Sequence, residues 1–134
     1  MVKISPKGPD PAKVASHVYK KLFENKLIRV FEIRFKPNDK AVMHWHPNHF
    51  AYIFEEGSLQ VTPPKGEVMN MAAKAGDVAW MDSGHHEAIN KGKTDFHALV
   101  VEFKGNTKKL GKQFPSESFR PMMDLWARSR VPPT

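Results

Sequence analysis

Residues 38–57 read NDKAVMHWHPNHFAYIFEEG, and the fold is decided in this stretch. His44 and His46 are two positions apart, within and directly after a strand candidate, Ala41 to Trp45. Alternate residues of a strand point to one side, so the two imidazoles converge on one point. A divalent metal asks for that convergence, at about 2.0–2.2 Å per nitrogen. Pro47-Asn48 then turns the chain, and His49 opens the next strand candidate, Phe50 to Phe54, from which a third imidazole can return to the same centre. A lone His-x-His on an exposed strand is weak evidence. Here five of the seven histidines fall in this segment and in His85-His86, which follows the turn Ser83-Gly84.

Outward from this centre the pattern stays β. Val18 to Phe23 and Leu27 to Phe35 flank Glu24-Asn25-Lys26, where asparagine suits a tight turn and tolerates the left-handed conformation, so a hairpin is expected. Apolar groups occupy both faces of the second run from its middle onward, which predicts a strand covered on both sides. Further candidates are Leu59 to Thr62, Glu67 to Met71, Val78 to Met81, His86 to Ile89 and Phe96 to Phe103. Pro37-Asn38-Asp39, Glu56-Gly57, Pro63-Pro64-Lys65-Gly66, Gly76-Asp77 and Lys91-Gly92-Lys93 separate them with turn chemistry. Short strands at roughly 8–12-residue spacing predict an all-β barrel or sandwich. Trp45, Tyr52, Phe54, Met69, Trp80 and Met81 lie on these strands and are expected mostly in the core.

At 134 residues the chain is sized for one domain, and its 40% hydrophobic and 26% charged content is that of a globular body. Residues 1–17 read as a partly flexible N-terminal extension, 18–104 as the barrel, and 105–134 as a basic C-terminal extension. In the first, Asp10 before Pro11 is an N-cap with proline at the first helical position; one or two helical turns or a simple turn follow. In the last, Met122, Met123, Leu125 and Trp126 predict a short helix over Pro121 to Arg130 that packs on the barrel or on a partner subunit. Lys104 to Thr134 carries seven Lys or Arg against Glu117 and Asp124, within a total charge of +7. With no nucleic-acid motif beside it, this tail reads as a solvated segment, and no nucleic acid is expected as a partner. No apolar run approaches the roughly 18 residues of a membrane span and no secretory leader is visible, so no membrane association and a cytoplasmic location are expected. Cysteine is absent, which excludes thiolate and iron–sulfur sites and leaves nitrogen or oxygen to hold any metal.

Asn38 to Gly57 resembles the first motif of the cupin superfamily, G-x5-H-x-H-x3,4-E-x6-G, with His44 and His46 on the paired histidines, Gly57 on the final glycine and Asn38 in place of the first. Gly76 to Asn90 resembles the second, G-x5-P-x-G-x2-H-x3-N: Gly76, Gly84, His86 and Asn90 match, the segment is one residue short, and Asp82 replaces proline. The resemblance covers about residues 18–104. It implies a cupin-type antiparallel β-barrel (double-stranded β-helix or jelly roll), close to a subgroup of small single-domain cupins with H-x-H-P-N-H. It also implies a metal on His44, His46, a glutamate and His86. Counting back from Gly57, the glutamate position falls on Phe50; alignment by Tyr52 places it on His49, a residue able to ligate. His49 is therefore the expected fourth ligand, the alternative being a three-histidine face.

Either arrangement suits Fe, Mn, Co, Ni, Cu or Zn, with Fe and Zn favoured. His85 is expected at the surface, and His97 packed or exposed. Glu102 and Glu87 are candidates for a partner behind the ligands or a general base. Three functions remain open. One is an oxygenase, dioxygenase-like, acting on a small oxygenated molecule that chelates the metal. The others are a metal-dependent isomerase or lyase and a non-catalytic binding module. A homodimer is expected, paired through the Val18 to Phe23 strand or the Met122 to Trp126 cluster.

Overall fold

A computed structural model describes residues 8–105. The expected helix over 121–130 and the packing of Met122 to Trp126 lie outside the described residues. Asp10 caps α1 (Pro11–Val14), its carboxylate accepting the Ala12 N–H at 3.0 Å, with Pro11 at the helix start. Nine strands follow: β1 (Tyr19–Glu24), β2 (Ile28–Phe35), β3 (Lys40–His46), β4 (His49–Ile53), β5 (Gly57–Thr62), β6 (Met69–Ala73), β7 (Val78–Met81), β8 (Gly84–Ile89) and β9 (Phe96–Phe103). They form two antiparallel sheets, β1-β2-β9-β4-β7 and β3-β8-β5-β6. The predicted all-β jelly roll is the fold observed. Among the described residues no helix is long and apolar enough to cross a membrane.

The inner faces meet in one core of small and aromatic side chains. Phe31, Phe35 and Phe96 are fully buried beside Ile53, Ala79, Ala98 and Val100, with Leu59, Val61 and Met71 opposite. Alternation within β2 sends Phe31, Ile33 and Phe35 inward and leaves Arg34 exposed, so this strand is not covered on both sides as expected. β6 begins two residues later than expected, after a long Pro63–Gly66 turn in which Gly66 holds φ +113°. Tyr52, Phe54 and Met69, expected mostly in the core, are about 40% exposed. The β1–β2 turn uses no left-handed residue; Asn25 instead accepts the N–H groups of Leu27 and Ile28 at 2.8 and 2.9 Å.

One turn design occurs twice. In Lys36-Pro37-Asn38-Asp39 and in Lys74-Ala75-Gly76-Asp77 the fourth N–H donates to the first carbonyl, at 2.9 and 3.0 Å, and the aspartate carboxylate accepts the first N–H. The third residue has positive φ, +74° at Asn38 and +89° at Gly76. Asparagine is among the few side chains that enter this region readily, which explains why it stands where the family motif has glycine. Gly57 is a close approach: a Cβ there would lie 3.0 Å from the Asp95 carbonyl.

Asn90 closes the barrel's other corner. Fully buried, it donates to the carbonyls of Phe35 at 2.9 Å and Thr94 at 2.8 Å and accepts the Gly92 N–H at 2.8 Å. The family's motif asparagine is therefore a structural clamp in this chain. Asn90→Ala strands three polar groups, and urea unfolding is expected to show a loss of about 3 kcal/mol; a loss below half a kcal/mol would contradict that role.

Candidate metal centre

The site begins with an irregularity in β3. Ala41 pairs with Ala88 and His44 with His86, so three steps along β3 match two along β8. This bulge resets the alternation. Ala41 faces the core, and beyond the bulge His44 and His46 do so, while Trp45 pairs opposite His85 and is buried outside the main core cluster. His86 lies across the ladder from His44, and His49 starts β4 in the other sheet, opposite Glu102 of β9. Asn48 joins the two histidine segments by accepting the Ser83 N–H at 2.7 Å.

The ligand atoms of His44, His46 and His86 all lie within 4.8 Å of one another. His44 Nε2 and His46 Nε2 are 3.0 Å apart. The His86 ring centroid is 4.7 Å from that of His44 and 5.0 Å from that of His46. His49 is buried beside His46, centroids 4.4 Å apart, and is 6.5 Å from His86. The structure thus brings the four sequence-predicted histidines to one end of the barrel interior, with three forming the tight set.

Hydrogen bonds fix which nitrogens are available. His44 Nδ1 donates to the Val42 carbonyl at 2.6 Å and His49 Nδ1 to the Pro47 carbonyl at 2.8 Å, so Nε2 carries the lone pair on both rings. His46 Nδ1 is 2.6 Å from Glu102 Oε2. The other Glu102 oxygen accepts from Arg29, Nε at 3.0 Å, and Arg29 also makes two 3.1 Å bonds to Asp10. When Glu102 is ionised against Arg29, His46 holds its proton on Nδ1 and faces Nε2 toward His44. The two Nε2 lone pairs then face one another at 3.0 Å, that of His46 also accepting from the Tyr19 hydroxyl at 3.0 Å, and a shared cation would take both. The residues present fit a metal.

Electrostatics agree with neutral ligands. Burial, followed by the mutual repulsion of the rings, lowers His86 to about 3 and holds His46 well below the usual range. Burial also lowers His49 to about 4, against the upward pull of the Pro47 carbonyl, and lowers His44. Glu102 is pushed up to about 7 by burial, opposed by Arg29.

The remaining sequence candidates lie elsewhere. Glu87 pairs with Lys40 at 2.9 Å, on the opposite side of β8 from His86, and is no base for this centre. His97 packs against Glu32 at 2.6 Å and the Phe54 ring. His85 sits half-buried near Gly8. Sequence reasoning missed Tyr19 and Arg29. Tyr19 has its hydroxyl 3.0 Å from His46 Nε2, and a lone tyrosine opening an otherwise exposed strand gave no signal. Arg29 did leave one: it shares strand parity with the inward Phe31, Ile33 and Phe35, and a cation on an apolar face implies a buried partner.

No protein-family model matches the chain, and no curated protein does. Solved structures do. A cupin domain from Bordetella pertussis Tohama I superposes with a TM-score of 0.61 at 23% identity, covering 66% of this chain and 93% of that one. An uncharacterised double-stranded β-helix protein from Klebsiella pneumoniae gives 0.55 at 24% identity, over 66% and 77% of the two chains. An RmlC-like cupin family protein from Methanocaldococcus jannaschii gives 0.54 at 16% identity, over 83% and 95%. These likenesses, the two-sheet topology and the histidines on β3 and β8 lead to one conclusion: this protein has the cupin fold, a small double-stranded β-helix.

Proposed function

We propose that the chain is a metal-dependent cupin holding one divalent transition metal on His44, His46 and His86, with His49 as a fourth imidazole, and that it is an oxygenase for a small oxygenated molecule. The observation that carries the reading is the set of three imidazoles, two buried and His86 half-buried, whose ligand atoms lie within 4.8 Å of one another. Fe(II) is the preferred occupant for this reaction, and Zn(II) is the alternative for non-redox chemistry. A bound metal would supply Lewis acidity and, when redox-active, electron exchange with dioxygen. The chain's own part is placement. The carbonyls of Val42 and Pro47 aim His44 and His49, Glu102 aims His46, and Arg29 fixes Glu102. Because Glu102 is engaged on both oxygens and Glu87 faces away, neither offers a free general base, which favours oxygenase over isomerase or lyase chemistry.

The untagged protein is expected to bind Fe(II) or Zn(II), to melt higher when loaded, by the equivalent of roughly 4 kcal/mol at a thousandfold excess over Kd, and to lose binding when His44 and His46 are both alanine. Glu102→Gln should weaken affinity about 10–100-fold while leaving the ligands in place. The Fe(II) form should consume oxygen with one member of a panel of diketones and phenols. Tight binding without uptake across the panel would leave a binding module, and calorimetry showing no metal binding would remove the reading altogether.

Acid should act on the metal-free protein through the same rings. Their folded values lie below the ordinary histidine value of 6.5, so the unfolded chain binds more protons below that pH and stability falls on acidification, through about 4 at His49 and about 3 at His86. Glu102, raised from 4.5 to about 7, works the other way between those values and offsets one ring of the four. Melting temperature of the apo form should therefore drop between pH 7 and pH 5; a flat profile would contradict buried neutral imidazoles.

We further propose that two copies pair along β1, an edge strand that leaves Leu22 48% and Phe23 51% exposed. Light scattering at micromolar concentration should give twice the chain mass, and a monomer would reject the pairing.

A further inference from the structure

Tyr19 is the buried residue of a strand whose other side chains are exposed. Its ring is gripped edge-on by Phe31, centroids 5.4 Å apart, and by Phe35 at 6.5 Å. These contacts aim the hydroxyl between the rings of His44 and His46, each 5.6 Å from the tyrosine centroid. Among the described residues its hydrogen-bond partner is His46 Nε2, at 3.0 Å. That nitrogen is the one the proposed metal would take.

The consequence follows from counting lone pairs. An imidazole Nε2 has one, and a metal that uses it removes the acceptor of the Tyr19 O–H. A buried hydroxyl left without an acceptor costs about 1–3 kcal/mol, and the rings of Phe31 and Phe35 offer no oxygen in its place. We propose that Tyr19 is a ligand-positioning residue: in the loaded protein its hydroxyl donates to an oxygen of a small anionic substrate, a carboxylate or enolate, seated beside His46. The inference rests on the metal reading above and adds the substrate class. An anion is favoured because the ligands are neutral and the nearby carboxylate, Glu102, is already paired with Arg29 at 2.9 Å. The acceptor-only oxygen of such an anion matches the hydroxyl as donor.

The test uses the full chain loaded with Co(II), whose visible spectrum reports what enters the site, with glycolate as the carboxylate probe, acetylacetonate as the enolate probe and imidazole as a probe without oxygen. Wild type and Tyr19→Phe are expected to bind Co(II) equally and imidazole equally. The variant should bind glycolate, acetylacetonate or both about tenfold more weakly, the cost of one hydrogen bond to a charged group; whichever probe loses affinity identifies the substrate's anion. Equal affinity for both anions would overturn the proposal, as would loss of Co(II) binding in the variant, which would make the tyrosine itself a ligand. Failure of the wild type to bind Co(II) would instead remove the metal reading, and this inference with it.

A second measurement needs no substitution. The chain has two tyrosines, and Tyr52 is 39% exposed on the outer side. With both labelled by carbon-13 at the hydroxyl-bearing carbon, the Tyr19 resonance should move when Zn(II) is added and again when the anionic probe follows, while that of Tyr52 stays. A Tyr19 signal indifferent to the probe would refute the hydrogen bond even if the phenylalanine variant did not fold.

Discussion

Two ring nitrogens held 3.0 Å apart in the interior of a barrel are the constraint around which the rest is arranged. As neutral rings with both Nε2 lone pairs facing they repel, and charging either ring places a cation in a poorly solvated space beside two more imidazoles. The protein keeps them there by fixing the far side of each ring, with a carbonyl behind His44 and a carboxylate behind His46. That carboxylate needs its own counter-charge, which Arg29 supplies, and the guanidinium in turn spans to Asp10. A line of alternating donors and acceptors thus runs from the cap of α1 to the histidines.

The bulge in β3 is what makes this placement possible. A regular strand that turned Ala41 inward would also turn Met43 and Trp45 inward and would turn both ligands of the His-x-His pair outward. One extra residue reverses the facing of everything after it while preserving the ladder to β8. The same irregularity frees the Val42 carbonyl to receive the His44 proton, so a single local feature sets both direction and tautomer.

Much of this was legible in the chain. Turn residues at regular spacing gave the nine strands with small boundary errors, and the H-x-H-P-N-H segment pointed to the histidines that converge. What escaped was information that depends on facing. Strand periodicity has no means of announcing the bulge in β3; Glu102, by contrast, shares the inward parity of Phe96, Ala98 and Val100 on the regular strand β9, while Glu87 pairs with Lys40. Tyr19 escaped because its place is set by Phe31 and Phe35, partners that are adjacent only once the hairpin has closed. β6 started late because a double proline and a left-handed glycine consume more chain than a simple turn.

The outer edge of β3 has a guardian of its own. Trp45 donates its backbone N–H to the Pro9 carbonyl at 2.8 Å, and a Cβ on Gly8 would collide with the His85 ring at 2.5 Å. Gly8 and Pro9 therefore lie against the strand that carries two of the histidines and cover part of an open ladder edge. For protein engineering, a fusion placed ahead of Gly8 would pull on a segment that is one backbone hydrogen bond away from Trp45, the residue between His44 and His46.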